Sequence, residues 1–410
     1  MMKMIVLRTS VKRKIMKAVM PVMASGLGTA VFMLCIPLFD RADANNEYTE
    51  IENMNSVDNV LFVPVETEQE TIEEQLAPEN ADDPVTDVLV VSEAEQEPQL
   101  PGKYIQTLNL STEKEDLTLF DRHSGAISEE TFGAGNGPEY IDLGVGQLRN
   151  CTDISYDKVL SESGISSDIS IGVGTQEPQV LILHTHATES YEPYIKDWYD
   201  ERYTSRSFDP ENSVIAVGEA IAEQLAAAGI SVIHDCTLHD AVYNGSYTRS
   251  LETAVNTLAA YPSIKVVLDI HRDAIEYSDG TRVSAVTEID GKKAAQVMMI
   301  CAADDGNYDV PFFYENLHFA CGLQRTIEGK YPTLTRPILF QYCQYNQQVS
   351  PGAMLIEVGS HGNSIDEAVY SGELIGRSLA EYLKENAAAQ EPIAVPVMSG
   401  MPVYFLDRLR

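Results

Sequence analysis

Two histidines and two glutamates carry the residue types of a metal-assisted hydrolase. His186 and Glu189 stand in an H-x-x-E spacing directly after the apolar run 180–183. Three positions apart on a turn or helix start, such side chains lie on one side and can share a metal ion. His271 follows inside Leu268-Asp269-Ile270-His271-Arg272-Asp273, and Glu357 lies in Leu355-Ile356-Glu357-Val358-Gly359. Two imidazoles and one carboxylate leave the fourth position of a tetrahedral zinc site open, the pattern of a catalytic site. Zinc so held lowers the pKa of water toward ~7 and supplies a nucleophile at neutral pH. Glu357 is then placed to take a proton and pass it to a leaving amine.

Each piece has a plainer reading. An H-x-x-E spacing arises by chance in a chain this long. His271 beside Arg272 and Asp273 can be a hydrogen-bonded strand end, and Glu357 can be half of a buried ion pair. A carboxylate among Leu355, Ile356 and Val358 nonetheless costs free energy unless it has a partner or a task. Together, the three strand-end coincidences favour the metal site. His184 competes with His186, since two residues apart on a strand they face the same side. The H-x-x-E relation selects His186 and leaves His184 to touch substrate or to support a ligand. His234, His239, Arg249, Arg272 and Asn346 are further candidates for substrate or supporting contacts. His123 and His318 read as structural or exposed, and His361 is near Glu357 only in sequence.

The elements that must position these residues begin at Pro178. Apolar runs at 180–183, 230–233, 266–270, 297–301 and 354–358 read as strands. Helical patterns at 212–228, 250–260, 315–329 and 365–385 alternate with them, the first capped by Asn212 or Ser213 and ended by Gly229. Strands apolar on both faces, alternating with helices, predict an α/β fold with a mostly parallel sheet covered by helices on both faces. In such sheets sites form beyond the carboxyl ends of the strands. The polar, Gly-rich stretch 103–177 predicts a small β-rich module before the catalytic domain 178–387, and a tail occupies 388–410.

Charge organises the rest. The first 41 residues hold seven Lys/Arg against one acid, and residues 18–39 are an uncharged stretch of 22. At about 1.5 Å per residue that length covers the ~30 Å hydrocarbon core. The basic cluster 1–17 ahead of it predicts a cytoplasmic N-terminus and an extracytoplasmic body on a single-pass transmembrane helix. The competing reading, a cleaved signal peptide, has an apolar region of only about 7–15 residues. From 42 to 102 there are 17 Asp/Glu and no Lys or Arg, which predicts a disordered acidic linker over 40–102. The net charge of −34 argues against nucleic acid as a partner. Six scattered cysteines without C-x-x-C spacing read as free thiols.

The chain resembles the stage II sporulation protein P family over about 139–383. The resemblance is carried by Tyr140-Ile141-Asp142-Leu143-Gly144, by Leu181-Ile182-Leu183-His184-Thr185-His186-Ala187-Thr188-Glu189 and by His234-Asp235. It continues in Tyr243-Asn244-Gly245-Ser246-Tyr247, the stretch 268–274, Tyr345-Asn346-Gln347 and Leu355-Ile356-Glu357-Val358-Gly359 with Asn363. Gln344 and Gln348 depart from the pattern around Tyr345-Asn346-Gln347. The resemblance implies a zinc-dependent N-acetylmuramoyl-L-alanine amidase acting on peptidoglycan during engulfment, with crosslink cleavage also attributed to the family. It implies stage II sporulation proteins D and M as partners, His186, Glu189 and His271 as zinc ligands, and Glu357 as the catalytic carboxylate. The alternatives are a zinc carboxypeptidase or deacylase with the same residues, and a catalytically silent wall-binding protein.

Overall fold

The run Val180–Leu183, apolar at every position, is buried at every position. It is one strand of a sheet seen in the computed structural model, which describes residues 102–107, 114 and 116–390. The N-terminus 1–17, the transmembrane segment 18–39, the linker up to residue 101 and the tail after 390 lie outside the described residues. Among the described residues no helix is long and apolar enough to cross a membrane.

The strands are β1 (Tyr104–Thr107), β2 (Gly125–Glu130), β3 (Tyr140–Asp142), β4 (Gln147–Asn150), β5 (Val180–Leu183), β6 (Trp198–Tyr199), β7 (Val232–Asp235), β8 (Val266–Asp273), β9 (Arg282–Ile289), β10 (Lys292–Ala295), β11 (Val297–Ala303), β12 (Ile338–Tyr342) and β13 (Gly352–Ser360). The helices are α1 (Tyr156–Ser163), α2 (Val214–Ala227), α3 (Ser246–Ala260), α4 (Phe313–Lys330) and α5 (Ile365–Gln390). Nine strands form one sheet in the order β1-β7-β5-β8-β13-β11-β12-β4-β3, and β10-β9-β2-β6 form a second.

Two expectations need correction. The large sheet is mixed, not mostly parallel, because β11 runs antiparallel to β13 and β3 antiparallel to β4. The physical cause is connection length: β3 and β4 are joined by four residues, too short for the crossover that parallel pairing requires. Residues 103–177 are also not a module apart. Their strand β1 pairs with β7, β4 pairs with β12, and β2 pairs with β9 of the second sheet. Strands of four to six residues flanked by polar sequence carry too little periodicity to reveal which sheet they join.

Alternation sorts the two faces. Val180 and Ile182 join Leu268, Ile270 and Ile356 in the main core, which α2, α4 and α5 cover with Val217, Ile221, Phe319, Leu323, Leu374 and Leu379. Leu181 and Leu183 face the other way, with Val267, Ala353 and Ala254 of α3. Burying each such side chain is worth roughly 1.5–3 kcal/mol. Helix ends are set locally. Ser213 caps α2 by accepting from the Ile215 N–H. Ser364 and Glu367 form a reciprocal capping box at α5, Glu367 Oε2 accepting from Ser364 N at 2.9 Å and Ser364 Oγ from Glu367 N at 3.3 Å.

Two glycines are required by contact. Gly359 has φ +65°, and a Cβ there would lie 2.7 Å from Asn363 Oδ1, whose side chain also bonds Ser284 and Ala285 of β9. Gly218 lets α2 approach two buried imidazoles, since a Cβ would lie 2.6 Å from His234 Nε2 and 2.8 Å from His184. Gly218→Ala is therefore expected to destabilise the fold by about 1–3 kcal/mol through overpacking. A lower urea midpoint with an unchanged slope is the expected reading, and an unchanged midpoint would contradict it.

Candidate metal centre

β5 ends at Leu183, and residues 185–188 turn beyond its carboxyl end. Glu189 closes that turn, its N–H donating to the His186 carbonyl at 3.0 Å. Next to β5, β8 presents Asp269 and His271 on one face, and β13 presents Glu357 opposite His271 in parallel register. His186, Glu189, His271 and Glu357 are thereby brought to one strand-end region. Glu189 Oε2 lies 3.4 Å from His271 Nδ1, and the His186 and His271 rings stand at 89° with centroids 5.4 Å apart.

Electrostatics here is dominated by burial and close opposite charges. Burial alone would push Glu189 up, but His271 and Arg272 outweigh it and hold its carboxyl well below the usual range. His271 is the counterpart: burial would lower it, while Asp269, with Oδ1 at 2.9 Å from Nε2, and Glu189 raise it. Burial lowers His186 and keeps it neutral, the form a metal ligand needs. Glu357 is pushed up to about 8, by burial first and by Asp273 second.

Imidazole and carboxylate are the residue types that bind zinc. Two atoms of this region, His186 Nδ1 and Glu357 Oε2, lie out of solvent without a hydrogen-bond partner, whereas His271 Nε2 is held by Asp269 at 2.9 Å. Orphaned buried polar atoms are rare because each costs about 1–3 kcal/mol. A cation bound beside His186 would answer the first of them. Among the described residues no group of three or more His, Cys, Asp or Glu is placed so that it could hold a metal ion. In this structure His271 lies between Asp269 and Glu189 as an ion pair instead.

The other sequence candidates sit elsewhere or support the site indirectly. His184 does not face the side of His186. The strand ends at Leu183, so period-two alternation stops there, and His184 turns under the sheet. It is buried, with Nδ1 3.0 Å from the Ile270 carbonyl and Nε2 2.8 Å from His234 Nε2. Burial and the neighbouring His234 hold its pKa down at about 3. His234 is equally buried, between His184, Tyr104 and Glu219, beneath α2. His239 is taken up by the His184 carbonyl (2.8 Å) and Thr253 Oγ1 (2.9 Å), so both ring nitrogens are engaged. Arg249 donates to the His239, Val242 and Asn244 carbonyls and so holds the 239–244 loop. Arg272 donates from its backbone to Glu189 and from its guanidinium to the Ser190 and Ser205 carbonyls, fixing the turn that carries Glu189. Asn346, at φ +56°, donates to the Tyr247 carbonyl and to Ser250 Oγ. His361 lies 3.7 Å from Glu276, His318 pairs with Glu162, and His123 stacks on Trp198. The five described cysteines are free.

Sequence reading missed Asp269, Asp240, Tyr243 and Tyr247. Asp269 accepts from Thr185 N (2.8 Å) and Oγ1 (2.6 Å) while flanking His271. Asp240 accepts from Thr188 and Arg206 and lies 3.8 Å from His186 Nδ1. Tyr243 stacks on His186 at 4.8 Å. An Asp two residues before a histidine in a buried strand was the one available signal, since a carboxylate there needs a cation beside it.

A family model described as Stage II sporulation protein P matches residues 32–380. A protein of Bacillus subtilis (strain 168) named Stage II sporulation protein P is 27% identical over 228 residues. That match covers 52% of this chain and 54% of the relative, so the chain spans about half the length of the curated relative it matches. Among solved structures, the N-acetylmuramoyl-L-alanine amidase AmiC2 of Nostoc punctiforme is 13% identical with a TM-score of 0.30, covering 51% of this chain and 96% of that one. The CwlD amidase from Clostridioides difficile, solved in complex with the GerS lipoprotein, is 13% identical with a TM-score of 0.33, covering 50% and 99%.

Proposed function

Because the chain belongs to the stage II sporulation protein P family, we propose that it is a peptidoglycan hydrolase of sporulation. The bond we assign to it is the amide between N-acetylmuramic acid and L-alanine, cleaved with zinc held by His186, Glu189 and His271. The observation that carries this reading is the gathering of two imidazoles and two carboxylates at one end of the sheet, with His186 Nδ1 and Glu357 Oε2 orphaned.

When bound, zinc supplies Lewis-acid polarisation of carbonyl and water. The chain's own residues do the rest. Hydrolysis joins a water oxygen to the carbonyl carbon, breaks the C–N bond and places one water proton on the leaving nitrogen. Glu357 is the carboxylate available to take that proton and deliver it. Its pKa of about 8 lies near working pH, where a group can move a proton in both directions. Arg272 keeps Glu189 in place, and Asp269 holds the His271 imidazole from the side away from Glu189.

Asp269→Asn is expected to weaken zinc binding about 10–100-fold, the usual effect of losing a carboxylate behind a ligating histidine. Competition with a chelator of known affinity measures it, and unchanged affinity would remove Asp269 from the centre. The residues 18–39 as a membrane anchor, an extracytoplasmic catalytic part, and partnership with stage II sporulation proteins D and M complete the proposal. The bond itself is tested by mass analysis of fragments that the full-length chain releases from purified sacculi. Stem peptides with free L-alanine amino termini support the amidase reading. Release of only a C-terminal residue would make the protein a carboxypeptidase.

A further inference from the structure

Tyr247 stands on the first turn of α3, against both imidazoles of the site. Its ring meets His186 edge-on with centroids 5.6 Å apart and lies within 13° of parallel to His271 at 6.4 Å. Tyr345 flanks it at 5.6 Å. The turn that presents it is tied down twice, for Asn346 Nδ2 and Ser250 Oγ both donate to its carbonyl, at 2.9 and 3.2 Å. Ser250 Oγ is also 2.7 Å from Thr185 Oγ1, which donates to Asp269. The phenol is thus braced to the same carboxylate that flanks His271. This bracing uses ring and backbone only: none of the hydrogen bonds among the described residues engages the Tyr247 hydroxyl, and the residue is only half-buried.

Amide hydrolysis builds negative charge on the carbonyl oxygen, and a fixed donor aimed at that charge is commonly worth ~10²–10³-fold in rate. The cationic side chains near the site are committed elsewhere. Arg272 is spent on the Ser190, Ser205 and Asp273 carbonyls and Arg206 on Asp240 and Thr188, while Arg336 gives Nη2 to Asp273 and keeps a buried Nε without a partner. His184, His234 and His239 are engaged inside the fold. We propose that Tyr247 is a further catalytic residue, its hydroxyl donating a hydrogen bond to the scissile carbonyl oxygen as charge develops there. A phenol, with an ordinary pKa of about 10, is protonated at neutral pH and therefore a donor. The assignment rests on the amide-hydrolase reading above.

The test compares the full-length wild-type chain with Tyr247→Phe, which deletes one hydroxyl and keeps the ring contacts. Zinc content, thermal midpoint, kcat and KM are measured on the same preparations, using a soluble muramyl-peptide fragment as substrate. The expected result is a kcat lower by ~10²-fold, with KM within about twofold and with zinc and thermal midpoint at wild-type values. A kcat within about threefold of wild type overturns the assignment while leaving the hydrolase reading intact. Loss of zinc in Tyr247→Phe also overturns it, since the phenol would then belong to the metal centre. A zinc-loaded wild type that cleaves nothing overturns the hydrolase reading and this assignment with it.

Discussion

Glu357→Gln will lower amide hydrolysis by at least ~10³-fold while zinc content stays near wild type. Proton transfer by a positioned side chain is typically worth ~10²–10⁴-fold, and this one carboxylate serves both the attacking water and the leaving nitrogen. Gln is close in shape, so β13 keeps its pairing with β8 and β11. The substitution also removes a buried acid whose burial disfavours its charged form, so the fold should lose nothing by it. Metal content and fragment release measured on one preparation decide the matter. Near-normal release would move the base elsewhere. Loss of zinc would make Glu357 a ligand and reopen the role of Glu189.

His186→Ala and His271→Ala will both lose zinc, yet they will differ in stability. His271 lies between Glu189 and Asp269, at 3.4 and 2.9 Å, with all three side chains buried. In the metal-free chain, removing it leaves two buried carboxylates without their shared cation, and breaking a buried pair this way costs about 3–5 kcal/mol. His186 packs on Tyr243 and has no charged partner closer than Asp240 at 3.8 Å, so its removal leaves no comparable charge stranded. Thermal melts with metal analysis separate the two variants. Full zinc in either one would strike that residue from the ligand set. Equal melting points would contradict the ion-pair account of His271.

Much of this site was legible because the sheet announces itself. Strands such as Val180–Leu183 and Val266–Asp273 are apolar until they reach the chemistry, so their polar ends stand out. The caps of α2 and the length of α5 follow from local rules that need no tertiary knowledge. What was not legible depends on contacts between distant residues. Alternation placed His184 beside His186, but it holds only while the strand lasts, and β5 stops one residue before His184. The second sheet escaped notice because β9 joins β2 across more than 150 positions, and its mixed pattern resembles a loop with apolar residues. Tyr247 was visible only as part of a motif. That its ring abuts both histidines follows from how α3 packs, which spacing does not encode.

The central claim is that one zinc ion at His186, Glu189 and His271 makes this chain an amide hydrolase. It is tested most directly by following zinc per chain and stem-peptide release from sacculi on a single preparation, as isolated, after chelation, and after zinc is restored. The account predicts about one zinc per chain, release abolished together with the metal, and release recovered on restoring it. Stem-peptide release that persists undiminished in the fully chelated, metal-free chain would contradict it.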